Sequence, residues 1–332
     1  MNKNDQQLKK RKKIVVIGGG TGTFVTLTGL KSYPVDLCAI VTMMDSGGST
    51  GRLRDQLGVL PPGDLRQALV ALSNSDKLWR DLFLYRFENG DLKGHNFGNI
   101  FLSAIEKVTG SLKDAIRVAS MILDVKGIVI PVTFSNVELC VRLADNRIIT
   151  GETHIDEPQE NELRAKIIKA YLQPSAKVNP DAIEAIKQAD MIVFGPGDLY
   201  TSIIPNVLVE GMSQAIQQSK AVKVFVMNLM TKYGQTTEYS AQEHLEDLEK
   251  YLDCEVQNII VNCEKPDALT LNLYKKSNEK MVTDNLSKTN RTIIKKRLLD
   301  HTSYTKKNSD ILKRSLIRHD PKRLASSLFS LV

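Results

Sequence analysis

The chain has 332 residues, 42% of them hydrophobic and 25% charged, and its formal net charge is +7. This composition is typical of a soluble globular protein and argues against disordered, fibrous and disulfide-stapled classes. The basic residues are dispersed, and the aromatic residues, 6% of the chain, do not alternate with them as a nucleic-acid surface would require. We therefore expect no nucleic-acid partner.

Cysteine spacing and hydropathy indicate where the protein works. The four cysteines form no C-x-x-C pair, which is typical of free thiols in a reducing cytosol. The apolar stretch at residues 14–17 is too short for a signal-peptide core. No run of about 18 apolar residues is present, as a membrane-spanning helix would need. We expect a cytoplasmic protein without membrane insertion.

The first predicted unit is a strand, a glycine loop and a helix. β-Branched residues 13–17 stop at Gly-Gly-Gly-Thr-Gly-Thr, residues 18–23, and a helical pattern follows to Leu30. A second buried strand at residues 35–43 ends in another glycine-rich turn, residues 45–51. Because ligands of open α/β sheets bind outside the carboxyl ends of the strands, both turns are expected at one edge of the sheet.

The middle of the chain predicts a change from helices to short strands. Residues 64 to about 123 have helical periodicity. Residues 128–134 and 137–143 are β-rich, and Ser135-Asn136 between them predicts a β-hairpin. Two helices are then expected, at about 160–171 and at 181–188. A strand at 191–194 follows and runs into Gly-Pro-Gly-Asp at 195–198.

Alternating elements continue with a helix at 207–217, a strand at 222–227, a helix at 241–252 and a strand at 256–261. The predicted fold is therefore α/β and Rossmann-like, with a mostly parallel sheet flanked by helices, a helical insertion and a β-hairpin. Residues 1–265 are predicted to form the nucleotide-binding domain, with the insertion at about 64–125. Residues 266–332 are predicted to be a basic extension that packs back on this domain and ends in an amphipathic helix at 321–331.

The first glycine loop is a candidate phosphate site. Backbone N–H groups can converge there, and the N-terminus of the following helix adds positive potential. The dinucleotide fingerprint is incomplete because Thr23 stands at its third glycine, and no P-loop lysine follows. A plain tight turn is the alternative. The candidate ligand-binding residues are Gly19, Gly20, Thr21, Gly22 and Thr23.

The second loop and the helices after it add polar candidates. The carboxylate of Asp45 could hold Mg²⁺ or a ribose hydroxyl, or could only cap a turn. Asp64, at a predicted helix start, could be a cap or a ligand contact. In the segment 95–99, Asn96 is a candidate cap and Asn99 a candidate ligand contact. The further binding candidates in these loops are Ser46, Gly47, Gly48, Ser49 and Gly63.

The third loop lies after the strand at 191–194 and mixes glycine, carboxylate and hydroxyl groups. Asp198 could share a Mg²⁺ ion with Asp45. An ordinary connection between elements is the alternative. The candidate ligand-binding residues here are Gly195, Gly197, Asp198, Tyr200 and Thr201.

Five ordered motifs resemble one protein family. They are Gly-Gly-Gly-Thr-Gly at 18–22, Asp-Ser-Gly-Gly-Ser-Thr-Gly at 45–51, Gly-Asp-Leu-Arg at 63–66, Phe-Gly-Asn-Ile-Phe at 97–101 and Gly-Pro-Gly-Asp-Leu-Tyr-Thr-Ser-Ile at 195–203. The chain resembles the YvcK/CofD-like family, and it is most similar to the YvcK branch of gluconeogenesis factors. The resemblance implies a Rossmann-like fold, a homodimer and a nucleotide cleft.

The two branches imply different functions. The YvcK branch implies nucleotide-diphosphate-sugar binding, with a uridine diphosphate sugar as the expected ligand. It also implies a role in gluconeogenic growth and cell shape, with an unidentified regulatory protein partner. The CofD branch implies Mg²⁺-dependent transfer of a 2-phospholactyl group from a guanosine diphosphate adduct to a deazaflavin precursor. Met43-Met44-Asp45 and Gly197-Asp198-Leu199 depart from that transferase pattern.

Two further hypotheses concern other residues and another ligand. Arg318, in Arg-His-Asp-Pro at 318–321, could pair with a diphosphate through its planar guanidinium, or could be a surface arginine before a helix. Its place in the family motif favours binding. The Rossmann-like start leaves NAD as an alternative ligand and an oxidoreductase as the weakest functional alternative.

Overall fold

Runs of buried, mostly apolar residues form the central strands of the main sheet, and burial on both faces explains why these runs are continuously apolar rather than alternating. The computed structural model of the protein describes residues 11–159, 162–287, 290–302 and 315–332. Its strands are β1 (Lys12–Gly18), β2 (Val35–Val41), β3 (Ile128–Pro131), β4 (Glu138–Leu143), β5 (Ile148–Thr150), β6 (Ile167–Gln173), β7 (Met191–Phe194), β8 (Val222–Val226), β9 (Asn258–Asn262) and β10 (Thr292–Lys296).

The helices alternate with the strands, and several start at side-chain caps. Ser240 and Glu243 form a capping box at the start of one helix, and the Asn96 side chain accepts from the Asn99 amide at the start of another. The helices are α1 (Gly20–Leu30), α2 (Gly48–Leu57), α3 (Gly63–Leu72), α4 (Lys77–Leu84), α5 (Phe97–Thr109), α6 (Leu112–Ile122), α7 (Glu152–Asp156), α8 (Pro180–Gln188), α9 (Ile204–Val207), α10 (Met212–Gln218), α11 (Ala241–Leu252), α12 (Ala268–Lys276) and α13 (Pro321–Phe329), with a π-helix at Leu199–Ile203.

Seven strands form a parallel sheet in the order β10-β9-β8-β7-β1-β2-β3. The chain starts at β1, adds β2 and β3 on one side, and later adds β7 to β10 on the other side. The order of the strands therefore reverses between β1 and β7. In open α/β sheets this switch point, at the carboxyl ends of the strands, is where a crevice opens. The α/β fold and the parallel sheet are as predicted.

The β-hairpin predicted from residues 128–134 and 137–143 is formed by a different pair of strands. Strand β3 pairs with β2 in the parallel sheet, whereas β4 pairs antiparallel with β5 and β6 in a separate three-stranded sheet. The hairpin is thus β4–β5, and Ser135-Asn136 connects two sheets. The prediction missed this because two adjacent β-rich segments look alike whether they pair with each other or not.

Two predicted helices are also corrected. Residues 167–173 form strand β6, because pairing with β4 overrides the helix-forming composition of the segment. Residues 160–161 of that prediction lie outside the described residues. The helix predicted at 207–217 is not continuous: α9 ends at Val207, and α10 begins at Met212 after a non-helical connection. Gly211, with φ +97°, caps the start of α10, and an L-residue rarely adopts this backbone conformation.

The end of the chain contributes to the main sheet. Strand β10 pairs with β9, and α13 packs against α1. The sheet thus continues past residue 265, where the sequence predicted the domain boundary. In the part of the chain that the structure describes, no helix is both long and apolar enough to cross a bilayer.

Candidate functional site

The three predicted glycine loops meet at the switch point of the sheet. They follow β1, β2 and β7, which are adjacent strands. A cleft with two adjoining cavities opens above them. The polar lobe has a volume of about 220 Å³, and the apolar lobe has a volume of about 280 Å³. The residues that line both lobes are Thr21, Gly22, Gly197, Asp198, Lys232 and Ser315.

The polar lobe is built around the N-terminus of α1. The Gly20 N–H donates to Asp64 Oδ1 at 2.9 Å, so a carboxylate already lies at the positive end of this helix. The first amides of a helix have no partner within the helix. The start of α1 therefore offers backbone donors to an anion in the cleft. The predicted residues that line this lobe are Gly19, Gly20, Thr21, Gly22, Asp45, Gly47, Asp64, Gly197, Asp198 and Thr201.

Three carboxylates on one side of the polar lobe repel one another. Burial, and then the charge of Asp45, raises the pKa of Asp64 to about 7. Burial raises the pKa of Asp45, although hydrogen bonds from Gly47 and Thr50 oppose the shift. Burial, and then Asp45 and Asp156, raises the pKa of Glu152. Such a group attracts a proton or a cation, because either one relieves the repulsion.

Lysine and arginine side chains supply positive charge to the same lobe. Arg66 is buried, and its Nε donates to Asn99 Oδ1 at 2.8 Å, which fixes the guanidinium. Lys232 Nζ lies 3.1 Å from Asp156 Oδ2 and 3.9 Å from Asp198 Oδ2. Burial raises the pKa of Asp198 to about 6, although Lys232 opposes the shift. The polar lobe is thus lined by both carboxylates and cationic side chains.

The apolar lobe has hydrophobic walls and a few polar groups. Its apolar lining comes from residues after β8, from α12 and from residues 315–319, and it includes Leu229, Met230 and Ile317. Arg318 lies at this lobe, and its Nε donates to Ser315 O at 3.0 Å. Apolar walls with a few placed polar groups are typical of sites that bind small molecules.

Two polar atoms of residues lining the apolar lobe are buried without a hydrogen-bond partner among the described residues. They are Asn228 Oδ1 and His319 Nε2. Asn228 is held by its other amide atom, which donates to Gly197 O at 2.8 Å. Burial lowers the pKa of His319 to about 4, so its ring is neutral at pH 7. Both atoms are therefore free to form a hydrogen bond with a ligand in this lobe.

Some predicted site residues line neither lobe. Tyr200 is fully buried, and its hydroxyl donates to Asp247 Oδ2 at 2.5 Å. Asn99 lies behind Arg66, and Ser49 bonds His95 and the Asn96 amide. The other predicted residues outside the lining are Thr23, Ser46, Gly48, Gly63 and Gly195.

Several glycines are required by close packing between loops. A Cβ on Gly22 would lie 2.0 Å from the carbonyl oxygen of Pro196, and one on Gly63 would lie 2.0 Å from Asp45 Oδ2. These contacts hold the first loop against the third, and α3 against the second loop. The glycine pattern in the sequence thus reflects loop packing as well as room for a ligand.

Sequence reasoning did not select several lining residues, notably Arg66, Glu152, Asp156 and Lys232. Arg66 stands in the quoted Gly-Asp-Leu-Arg motif and could have been found there. Lys232 follows β8, whose carboxyl end faces the same edge of the sheet. Glu152 and Asp156 belong to the five-residue helix α7 beside the small sheet, and no local pattern connects that helix to the cleft.

The predicted metal pair is divided between two groups. Asp45 lies with Asp64 and Glu152, whereas Asp198 lies with Asp156 and Lys232. No group of three or more His, Cys, Asp or Glu side chains within the described ranges is arranged to hold a metal. Mg²⁺ often takes only one or two protein carboxylates and completes its shell with phosphate oxygens and water. Asp45 and Asp64 fit that requirement.

Comparison with known proteins gives consistent similarities. A family model described as 2-phospho-L-lactate transferase CofD matches residues 14–299. The gluconeogenesis factor of Bacillus subtilis (strain 168) is 37% identical over 328 residues, 97% of this chain and 99% of that protein. The gluconeogenesis factor of Halalkalibacterium halodurans is 46% identical over 239 residues, 71% of this chain and 73% of that protein.

A solved structure is similar over the whole fold. The crystal structure of protein BH3568 from Bacillus halodurans has a TM-score of 0.87 and 37% identity, and the match covers 96% of this chain and 100% of that chain. The family model contains all three glycine loops, whereas Arg318 lies beyond the residues that it matches.

Proposed function

The chain belongs to the CofD family, in which it is similar to the gluconeogenesis factors, and we propose that its cleft binds a nucleotide-diphosphate sugar. A uridine diphosphate sugar is the proposed ligand. The observation that carries the proposal is the two-lobed cleft at the switch point, where backbone donors, Arg66 and Lys232 lie beside an apolar cavity. This combination matches a ligand with an anionic and a ring-shaped part.

The diphosphate is placed in the polar lobe. The amides at the start of α1 and the charges of Arg66 and Lys232 favour phosphate oxygens. The carboxylates of Asp45 and Asp64 would repel them unless a proton or a cation intervened. Mg²⁺ held by these two carboxylates would neutralise the phosphates. Magnesium is therefore a proposed cofactor of binding.

The nucleoside is placed in the apolar lobe. Leu229, Met230 and Ile317 provide the apolar contacts there, and Arg318 lines the same lobe. The unsatisfied atoms Asn228 Oδ1 and His319 Nε2 are candidate partners for a base. The protein would act as a gluconeogenesis and cell-morphogenesis factor whose state depends on the supply of this nucleotide sugar.

Thermal shift measurements test the proposal. We expect uridine diphosphate sugars with Mg²⁺ to raise the Tm, and a ligand at 100 times its Kd adds about 2.7 kcal/mol of stability. Guanosine and nicotinamide nucleotides complete the panel. Arg318→Met should reduce the shift, whereas Arg117→Met, which changes an exposed residue of α6, should not. No shift with any uridine diphosphate sugar at millimolar concentration would refute the proposal.

A second candidate function is CofD-type transfer, which the family match over residues 14–299 favours. A guanosine diphosphate adduct would occupy the same cleft, and a hydroxyl of the deazaflavin acceptor would attack the phosphorus that carries the lactyl group. The diphosphate bond would break and guanosine monophosphate would leave, and Asp45 and Asp64 would hold the Mg²⁺ that neutralises the phosphates. Mass spectrometry after incubation of the protein with adduct, acceptor and Mg²⁺ would detect the product. If the wild-type protein bound the guanosine adduct tightly but formed no product, this function would be excluded.

A further inference from the structure

The ammonium group of Lys232 lies beside Asp198, which the sequence predicted as one of two metal ligands. Lys232 Nζ bonds Asp156 Oδ2 at 3.1 Å and lies 3.9 Å from Asp198 Oδ2. The three residues come from separate elements: the loop after β8, the end of α7 and the loop after β7. Only 17% of the Lys232 side chain and 20% of the Asp156 side chain are exposed. The contact is thus shielded and built by tertiary structure.

The charge of Lys232 is maintained by its surroundings. Burial alone would lower the pKa of this lysine, but the carboxylates of Asp198, Asp156 and Glu279 raise it overall. The ammonium is therefore charged throughout the physiological pH range. Because Lys232 lines both lobes of the cleft, this charge is available to a ligand that spans them.

The surrounding hydrogen bonds hold the lysine and its partner in place. The Lys232 amide donates to Thr236 Oγ1 at 2.9 Å, and the Thr236 amide donates to the Lys232 carbonyl at 2.9 Å. Gln235 Nε2 donates to Asp156 Oδ1 at 2.8 Å. Both Thr236 and Gln235 are buried. The Lys232 backbone and the carboxylate that Nζ contacts are therefore both held by buried neighbours.

A divalent cation does not fit beside this ammonium. Mg²⁺ needs carboxylate oxygens at about 2.0–2.1 Å in a near-octahedral shell. Asp156 Oδ2 is already used by Lys232, and a second cation between the same carboxylates would be repelled by the ammonium. Asp198 consequently does not fit the role of metal ligand that the sequence predicted for it.

We propose that Lys232 is the resident cation of the Asp156–Asp198 pair, replaces a metal ion there and contacts the phosphate oxygens of the ligand directly. The phosphate contact rests on the proposed function, whereas the replacement of a metal does not. Any Mg²⁺ that assists binding is restricted to the Asp45–Asp64 side of the polar lobe.

Lys232→Met tests the replacement of a metal without any nucleotide. Removing the ammonium leaves Asp156 and Asp198 facing each other uncompensated, so they should bind a divalent cation. We expect isothermal titration with Mn²⁺ to find one more ion per chain than in wild type. Lys232→Arg keeps the charge and should bind no additional ion, and neither should Lys77→Met, which removes an exposed lysine.

A double variant locates the new ion. Lys232→Met combined with Asp198→Asn should lose the additional Mn²⁺, because one of its carboxylates is gone. If Lys232→Met does not fold, the Mn²⁺ titration is carried out on Lys232→Gln. This variant also lacks the positive charge but keeps a hydrogen-bond donor for Asp156. An unchanged number of bound Mn²⁺ ions in the folded single variant would overturn the proposal.

Nucleotide binding tests the phosphate contact separately. Without divalent cations, Lys232→Met should weaken binding of a uridine diphosphate sugar by roughly tenfold or more, since a charged hydrogen bond is lost. Millimolar Mg²⁺ should restore affinity in this variant more than in wild type. Unchanged affinity of Lys232→Met for the nucleotide in the absence of divalent cations would refute the phosphate contact. If wild type binds no nucleotide, the proposed function fails, but the Mn²⁺ result stands by itself.

Discussion

Gly19 and Gly47 lie in neighbouring loops of the cleft but have different space around them. A Cβ on Gly19 would lie 2.2 Å from Asp64 Oδ2 and 2.8 Å from Thr42 Cγ2. A Cβ on Gly47 would meet its nearest atoms at 3.5 Å, which is ordinary contact distance. Both backbones are extended, with φ −160° at Gly19 and −84° at Gly47. The difference between the two positions is therefore steric rather than conformational.

Gly19→Ala should destabilise the protein and displace Asp64. The added methyl group would push the Asp64 carboxylate away from the Gly20 N–H, which donates a hydrogen bond to its Oδ1 at 2.9 Å. Overpacking of this kind costs about 1–3 kcal/mol. Urea denaturation followed by circular dichroism measures the free energy of unfolding, and nucleotide binding should weaken in parallel.

Gly47→Ala is the matched control for this substitution. It adds the same methyl group in the adjacent loop and should change stability by no more than about 0.5 kcal/mol. Equal stability of the two variants would show that the close approach of Asp64 to Gly19 does not constrain the loop.

The same residues show what the sequence can predict at this scale. Asp45, Asp64 and Asp198 were selected because each follows a strand or begins a helix, and all three line the polar lobe. Tyr200 was selected from the same run as Asp198, but the π-helix directs its ring into the core towards Asp247. A single turn of unusual helix decides that direction, and no periodicity in the sequence reports it.

A short segment of the chain, residues 315–319, forms one wall of the apolar lobe. The hydroxyl group of Tyr274 holds this segment in position. The amides of Leu316 and Ile317 donate to the Tyr274 hydroxyl at 2.9 and 3.2 Å. The Asp300 amide donates to the Arg318 carbonyl at 2.9 Å on the other side. Helix α12, which carries Tyr274, thus positions the segment that carries Arg318 and His319.

Tyr274→Phe should loosen this wall. Two backbone donors lose their acceptor, and leaving buried donors unsatisfied costs about 1–3 kcal/mol. We expect faster amide hydrogen exchange at residues 315–319 and weaker binding of a uridine diphosphate sugar. Mass spectrometry of exchanged peptides measures the first effect and calorimetry measures the second.

Tyr85→Phe serves as the control, because Tyr85 is 48% exposed and lies away from the cleft lining. It should leave both exchange and binding unchanged. Unaltered exchange at residues 315–319 in Tyr274→Phe would show that other contacts hold the wall.

Elements differ in how well the sequence specifies them. Helix α11 was predicted at its observed bounds, and the structure shows a capping box of Ser240 and Glu243 at its start. Strand β6 was predicted as a helix, because Ala, Lys and Leu favour helices and the decisive pairing with β4 comes from distant residues. Local signals therefore succeed where caps exist and fail where long-range pairing decides.

At the scale of the whole molecule, the order of the strands creates the site. The alternation of strands and helices predicted a parallel sheet with loops at one edge, which is what the structure has. The sequence did not predict which strands are neighbours, because strand order depends on long-range packing. The adjacency of β7 and β1 brings the loops at 18–23 and 195–198 together, although about 170 residues separate them.

The last residues of the chain complete this sheet and its helical cover. Strand β10 pairs with β9. A Cβ on Gly29 of α1 would lie 2.1 Å from the Pro321 carbonyl oxygen, so α13 packs closely on α1. Leu298, Leu324 and Leu328 have no exposed surface and belong to the main core. Residues beyond 265 thus share one core with those before it.

A chain that ends at residue 265 should therefore not fold cooperatively. Burial of a leucine contributes roughly 1.5–3 kcal/mol, so loss of Leu298, Leu324 and Leu328 removes a large part of the 5–15 kcal/mol typical of a folded protein. The exposed edge of β9 would also favour aggregation. Adding residues 266–332 as a separate chain should restore part of the cooperative transition, which distinguishes lost packing from faulty expression. A sharp unfolding transition of the shortened chain at the full-length Tm would instead establish residues 1–265 as an independent domain.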